Sequence, residues 1–178
     1  MSKVFGEIRQ LAFVVKDIDA AMEYWAACLG IGPFFIKRHI QFSHFRYRGK
    51  PAISPTISIA LANSGFIQIE LIQQHDDIPS IYLESTEGNL QHVAAWMTTA
   101  ELLAKRSDLL SKGYKIAQEG IIPSSGVRLV YLDTETPFAH FIFEIADLME
   151  PSQYHRILGI KSAFDHWDGH RVAIEVEA

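Results

Sequence analysis

Two stretches of the chain share the same alternation of apolar and polar positions. Residues 8–15 form one short, mostly apolar run, and residues 90–97 form another. Each carries a polar residue at its third position, Gln10 in the first and His92 in the second. Each run then leads into a pattern with helical spacing that ends at a glycine. A repeat of this kind indicates an internal duplication.

The order of the predicted elements is repeated as well. In each half a strand and a helix are followed by further strands, and in the second half Thr98 and Glu101 form a capping box at the helix start. Residues 73–89 are mostly polar, and residues 147–178 have no counterpart in the first half. We therefore predict a first module (residues 1–75), a linker (76–88), a second module (89–148) and a C-terminal helical tail (149–178).

Four predicted strands each contain one polar residue that is a candidate metal ligand: Gln10, Glu70, His92 and Glu144. In three of them an alanine follows two residues later, on the same face of the strand, and leaves space beside the polar group. Two carboxylates, an imidazole and an amide oxygen suit a divalent cation. The two carboxylates would balance its charge, whereas buried without a partner they would be costly. Each residue alone is more typical of a half-exposed or hydrogen-bonded strand position, but their repetition in both halves favours the metal site.

Several motifs resemble those of the vicinal oxygen chelate superfamily, which includes lactoylglutathione lyase, methylmalonyl-CoA epimerase, extradiol dioxygenases and bleomycin-resistance proteins. They lie at residues 10–17, 29–33, 68–72, 92–94 and 143–145. The resemblance implies an α+β fold in which two βαβββ modules form a cupped mixed β-sheet around a metal. It assigns Gln10, Glu70, His92 and Glu144 as ligands, a set similar to that of lactoylglutathione lyases. The resemblance does not select among Zn, Ni, Co, Mn and Mg as the bound metal.

The resemblance also implies a reaction. We expect a metal-dependent lyase or isomerase of the glyoxalase type, which moves a proton next to a carbonyl through a metal-stabilised enediolate. Glu144 is the expected base and Glu70 the alternative. An epimerase like those acting on methylmalonyl-CoA is a further alternative, but it would need a second carboxylate, and no Asp or Glu lies between Phe42 and Ile69. A non-catalytic binding protein of the bleomycin-resistance type is the rival hypothesis.

Candidate substrate-binding residues are fewer and weaker. Arg46 and Arg48, on one predicted strand, and Arg128 could meet an anionic part of a substrate, although such arginines are more often part of a solvated strand face. Trp96 follows His92 on the same face of its strand and could line an aromatic pocket.

Composition and charge limit the kinds of molecule that the protein is expected to bind. The net charge of −5 argues against a nucleic-acid-binding protein, and no apolar stretch reaches the roughly 20 residues that a membrane-spanning helix needs. The single cysteine, Cys28, rules out an intrachain disulfide, which is consistent with the cytoplasm. We therefore expect a cytoplasmic protein with a small-molecule substrate. The family resemblance adds the expectation of a homodimer.

Overall fold

The computed structural model describes residues 2–176. Residue 1 of the predicted first module and residues 177–178 of the predicted tail lie outside the described residues. The strands are β1 (Ile8–Val14), β2 (Phe34–Ile40), β3 (Ser43–Tyr47), β4 (Lys50–Pro51), β5 (Ile57–Ser64), β6 (Ile67–Gln74), β7 (Leu90–Trp96), β8 (Ile116–Ile121), β9 (Arg128–Leu132), β10 (Ile142–Ala146) and β11 (Ala173–Glu175). The helices are α1 (Ile18–Leu29), α2 (Thr99–Ser111) and α3 (Pro151–Asp165).

All eleven strands belong to one mixed sheet, in the order β11-β2-β5-β6-β1-β7-β10-β9-β8-β3-β4. The four strands β2-β5-β6-β1 of the first half mirror the four strands β8-β9-β10-β7 of the second half. The two sets meet where β1 pairs with β7 in antiparallel fashion. The predicted α+β fold with a cupped mixed sheet is therefore confirmed.

Helices α1 and α2 each cover the outer face of the sheet in their own half. Ile18 and Met22 of α1 pack with β2, β5 and β6, while Leu102 and Leu109 of α2 pack with β7, β9 and β10. The inner face carries a third apolar cluster, which includes Ala12 and residues from both halves. Since strand side chains alternate between the two faces, these clusters establish which positions point into the cup.

The helix ends follow the signals in the sequence. Asp17 caps α1 by accepting hydrogen bonds from the next backbone amides, and α1 ends at Gly30 in the left-handed conformation, with φ 66°. The capping box of Thr98 and Glu101 opens α2. In α3 the buried position is Ile157. No helix within residues 2–176 has the length and apolarity needed to cross a lipid bilayer.

The two ends of the sheet are linked by a very short connection. Strand β2 lies near one end of the sheet and β3 near the other, yet only two residues separate them. Strand β3 pairs with β8, so a hairpin from the first half extends the sheet of the second half. The sheet must therefore curl until its ends meet, which produces the cup.

The strand alternation predicted around residue 44 is interrupted. His44 and Arg48 both adopt positive φ, 51° and 49°, which breaks the two-residue period of a regular strand. As a result Phe42 and Phe45 both lie buried in the inner apolar cluster, while Arg46 is exposed.

The connection between the halves enters the cup. Most of residues 76–88 lie at the surface, but Ser80, Ile81 and Tyr82 are buried, and the last two belong to the inner apolar cluster. The division into two modules, linker and tail stays a prediction, with the addition that the linker fills part of the interior.

Candidate functional site

The strand registers bring the four predicted ligands onto neighbouring rows of the inner face. In one row Ala12 lies between Glu70 on β6 and His92 on β7. In the next row Gln10 is flanked by Gln68 and Ala94, and Ala94 in turn is paired with Glu144 on β10. The small side chains of Ala12 and Ala94 leave room between these polar groups.

His92 lies between two carboxylates at the centre of the site. Its Nε2 atom is 3.2 Å from Oε2 of Glu70 and 3.3 Å from Oε2 of Glu144. His92 is fully buried, and Glu70 and Glu144 are 7% and 2% exposed. Neither contact has hydrogen-bond geometry, so Nε2 is a buried nitrogen without a hydrogen-bond partner. A buried polar atom of this kind calls for a proton or a cation between it and the carboxylates.

Gln91 fixes the orientation of the imidazole ring. Gln91 has no pairing partner on β1 and forms a β-bulge in β7. Its Oε1 atom lies 2.6 Å from Nδ1 of His92. Because an amide oxygen can only accept, Nδ1 must carry the hydrogen. In the neutral ring the lone pair is then on Nε2, which faces the two carboxylates, as a metal-binding histidine requires.

Burial and charge shift both ionisable groups of the pair. Burial raises the pKa of Glu144 to about 7; the charge of His92 opposes this rise, and the charge of Glu70 adds to it. Burial alone would lower the pKa of His92, but the charges of Glu144 and Glu70 outweigh burial and raise it. Near neutral pH the site can therefore hold or release a proton.

Two tyrosines adjoin the cluster. The ring of Tyr131 meets that of His92 edge to face, with centroids 5.2 Å apart. The hydroxyl group of Tyr82 donates a hydrogen bond to that of Tyr131 at 2.9 Å. Burial raises the pKa of both tyrosines well above its usual value, so both hydroxyl groups stay protonated at neutral pH.

The fourth predicted ligand, Gln10, has a different partner. Its Nε2 atom donates a hydrogen bond to Oε1 of Gln68 at 2.9 Å, and both residues are buried. The structure thus brings Glu70, His92 and Glu144 into contact and places Gln10 in the neighbouring row, bound to a second amide.

The donor set suits a divalent cation in kind and in burial. Donor atoms about 2.1 Å from a metal are about 3.0 Å apart in octahedral and about 3.4 Å apart in tetrahedral geometry. The two contacts of His92 Nε2 fall in this range. Across residues 2–176, however, no group of three or more His, Cys, Asp or Glu side chains has the arrangement of a formed metal site. Binding would therefore require the carboxylates to turn from the imidazole toward a common point.

The predicted substrate-binding arginines lie apart from this cluster and are paired with acids. Arg46 lies 3.5 Å from Glu119, Arg48 contacts Glu84 and Asp133, and Arg128 contacts the buried Asp147. Arg46 and Arg48 line a surface cleft of about 420 Å³, and Arg46 and Arg128 line a second one of about 220 Å³. None of the four predicted metal ligands lines either cleft.

Trp96 differs from the arginines because it shares the inner face with His92. It packs against the inner apolar cluster, and its indole Nε1 is buried without a partner. Substrate binding by Trp96 and by the three arginines stays a prediction.

Sequence reasoning missed Gln91, Tyr131 and Tyr82. An unbroken two-residue alternation puts Gln91 on the face opposite His92, and only the bulge brings it to the imidazole. Tyr131 was identifiable, since β9 adjoins β10 and its alternation points Tyr131 inward beside Glu144. Tyr82 carried no signal, because it stands in a polar stretch without periodicity.

An α+β fold built on one cupped mixed sheet is characteristic of glyoxalase-like proteins. The chain belongs to the Glyoxalase/Bleomycin resistance protein/Dioxygenase superfamily, whose family model matches residues 9–131. This confirms the suspected vicinal oxygen chelate superfamily. A search of curated proteins gives no match.

Solved structures of low identity share the fold. The methylmalonyl-CoA epimerase of Mycobacterium tuberculosis is 16% identical and has a TM-score of 0.55, over 87% of this chain and 95% of that one. The hypothetical protein BH1468 of Bacillus halodurans C-125 is also 16% identical, with a TM-score of 0.52 over 81% of this chain and 95% of that one. A selenomethionine form of a methylmalonyl-CoA epimerase is 13% identical, with a TM-score of 0.50 over 83% and 98%. At these identities the likeness establishes the fold alone, and the family establishes an enzyme or binding protein of the vicinal oxygen chelate type.

Proposed function

We propose that the protein is a metal-dependent lyase or isomerase that moves a proton at a carbon next to a carbonyl group. The observation that carries this proposal is the position of His92 Nε2, buried without a hydrogen-bond partner between the carboxylates of Glu70 and Glu144. The family membership supports the same class of chemistry.

Gln10, Glu70, His92 and Glu144 would hold a divalent cation. When bound, the cation would polarise the carbonyl group of the substrate and favour negative charge on its oxygen. Gln10 would bind the cation through its amide oxygen, Oε1, while its Nε2 atom donates to Gln68. Gln91 keeps the Nε2 lone pair of His92 available throughout.

Glu144 is the proposed base. Its pKa of about 7 allows it to accept a proton from carbon and return it near neutral pH, because a base works best when its pKa is close to the working pH. Glu70, on the other side of His92, is the alternative base. Tyr131 lies beside Glu144 on the neighbouring strand β9.

The test is a metal titration of stripped protein by calorimetry, with Mn²⁺, Co²⁺, Ni²⁺ and Zn²⁺ in turn, followed by an assay of proton exchange on the glutathione hemithioacetal of methylglyoxal. We expect one ion per chain. His92→Ala should abolish tight binding, whereas His75→Ala, a histidine outside the site, should not. Stoichiometric binding to His92→Ala would overturn the proposal, as would full activity of Glu144→Ala.

A non-catalytic small-molecule binding protein is the second candidate. What favours it is Gln10 itself, since an amide oxygen is a weaker metal ligand than an imidazole. Wild-type protein that takes up none of the four metals but binds an aromatic ligand would support this function instead.

An epimerase with two carboxylate bases receives less support. The residue paired with Glu70 on β5 is Leu61, and the inner positions of β5 also include Ile57 and Ile59. A second base on this side would have to come from another element. The structural neighbours named methylmalonyl-CoA epimerase keep this reaction as an alternative to be assayed directly.

We also propose that the protein is a cytoplasmic homodimer that acts on a small-molecule substrate. Light scattering of the purified protein would measure its mass against the 20.1 kDa of one chain.

A further inference from the structure

Two side chains of the segment between the modules occupy the interior of the cup. Ile81 and Tyr82 are each 1% exposed and lie in the inner apolar cluster with Ala12 and Ile142, which flank the ligand row. The segment has no helix or strand of its own between Gln74 and Leu90. The space that a ligand of the site would need is therefore taken by the chain itself.

Tyr82 reaches the polar groups at the bottom of the cup. Its hydroxyl group donates to Tyr131, whose ring contacts His92. The charges of Glu70 and Glu144 both act on this hydroxyl group. The phenol ring thus extends from the apolar wall to the candidate metal cluster, as a bound molecule with one polar end would.

The segment leaves nearby hydrogen-bond donors unpaired. Within residues 2–176 the buried nitrogens without a partner include Nε1 of Trp96, Nε2 of Gln68 and Nε2 of Gln118. Gln118 contacts the segment directly, because its Oε1 accepts from the backbone amide of Ile81 at 3.2 Å. Each unpaired donor carries a desolvation cost that an acceptor oxygen on a ligand would remove.

The contacts that hold the segment at the surface are weak. Glu84 accepts hydrogen bonds from Arg48, at 2.6 Å, and from the hydroxyl group of Tyr47. The side chains of Arg48 and Glu84 are 40% and 41% exposed, so solvent screens this ion pair. Further in, Ser80 donates to Gln74.

We propose that residues 79–86 are a displaceable occupant of the ligand pocket, and that the pocket binds a neutral molecule of phenol size with acceptor oxygens. The ligand enters as Ile81 and Tyr82 withdraw, takes their apolar contacts, and accepts hydrogen bonds from Trp96 and Gln118. This inference relies on the proposed function only for treating the cup as the active pocket, and it does not require the metal.

The test is a calorimetric titration with 4-hydroxyacetophenone, on protein as purified and again in excess EDTA. Because EDTA removes any metal, this test does not depend on the metal proposal. We expect saturable one-to-one binding in both conditions. Hydrogen exchange in the peptide spanning residues 79–86 should speed up on binding, since the amide of Ile81 then loses Gln118. No saturable binding, or binding that leaves this exchange unchanged, would overturn the proposal.

Two variants and one control variant test the displacement of the segment and the role of the hydrogen-bond donors. Glu84→Ala should tighten binding about threefold, because a half-exposed ion pair no longer holds the segment in place. Asp165→Ala, which breaks the comparable ion pair with Lys161, should leave the affinity unchanged. Trp96→Phe keeps the aromatic contact but removes the donor, and should weaken binding about fivefold.

Ethylbenzene, a ring without oxygen, should bind at least fivefold more weakly than 4-hydroxyacetophenone. Equal binding of the two probes would contradict the role of acceptor oxygens. An unchanged affinity of Glu84→Ala would contradict displacement of the segment.

Discussion

The metal-free protein should lose stability as the pH rises from 5 to 8, and Glu144 should be the main cause. A carboxyl group whose pKa is raised in the folded state stabilises the fold while it is protonated. This contribution is present below the unfolded pKa of 4.5 and is lost as the pH rises through the folded value of about 7. The raised pKa of His92 acts in the same direction.

The shift of Glu144 sets the size of the effect. A rise of about 2.5 pKa units, at 1.36 kcal/mol per unit, corresponds to about 3 kcal/mol between pH 5 and pH 8. Glu144→Gln has nearly the same shape and cannot ionise. Between pH 5 and pH 8 its free energy of unfolding should therefore fall by about 3 kcal/mol less than that of the wild type. His75 has a lowered pKa and acts in the opposite direction, but its effect is the same in both proteins and cancels.

The measurement is urea denaturation of stripped wild-type protein and of Glu144→Gln, followed by tryptophan fluorescence at pH 5, 6, 7 and 8. Addition of a divalent cation at pH 8 should restore the wild-type stability and leave the variant nearly unchanged, since the ion favours the charged carboxylate. Parallel pH profiles of the two proteins would refute the assignment of a neutral, buried Glu144.

Three further perturbations each test one contact of the structure. Gln91→Leu should weaken metal binding about 10- to 100-fold in calorimetry, because His92 loses the partner of Nδ1; an unchanged affinity would show that the ring needs no such support. Tyr82→Phe should lower the free energy of unfolding in urea by about 1 kcal/mol through loss of one buried hydrogen bond, and an unaltered denaturation midpoint would contradict that bond. Gly32→Ala should lower thermal stability by about 1–3 kcal/mol, since its Cβ would lie 2.8 Å from the ring of Trp167, and adding Trp167→Ala should remove this penalty.

Much of the fold follows from the sequence because alternation, capping and duplication all indicate the same elements. Gln10, Glu70, His92 and Glu144 stand out as polar residues in largely apolar strands, and all four are buried on the inner face. A buried polar residue must have a partner, so the sequence alone could indicate that these side chains share a site.

What the sequence could not predict depends on contacts between distant segments. The bulge at Gln91 arises from the register between β7 and β1, and the burial of Tyr82 depends on a cup built by both halves. The inward turn of Phe45 depends on the backbone at His44, a residue that rarely adopts positive φ. In each case tertiary contacts override the local pattern.

The short connection between β2 and β3 makes the two halves inseparable. The hairpin of β3 and β4 comes from the first half but completes the hydrogen bonds of β8 in the second half, so a fragment that ends before residue 76 would leave this hairpin without its neighbour. The second fragment, in turn, would expose β8 as a bare edge open to aggregation. We therefore expect the two halves to unfold as a single cooperative unit, since each leaves strand edges unpaired without the other.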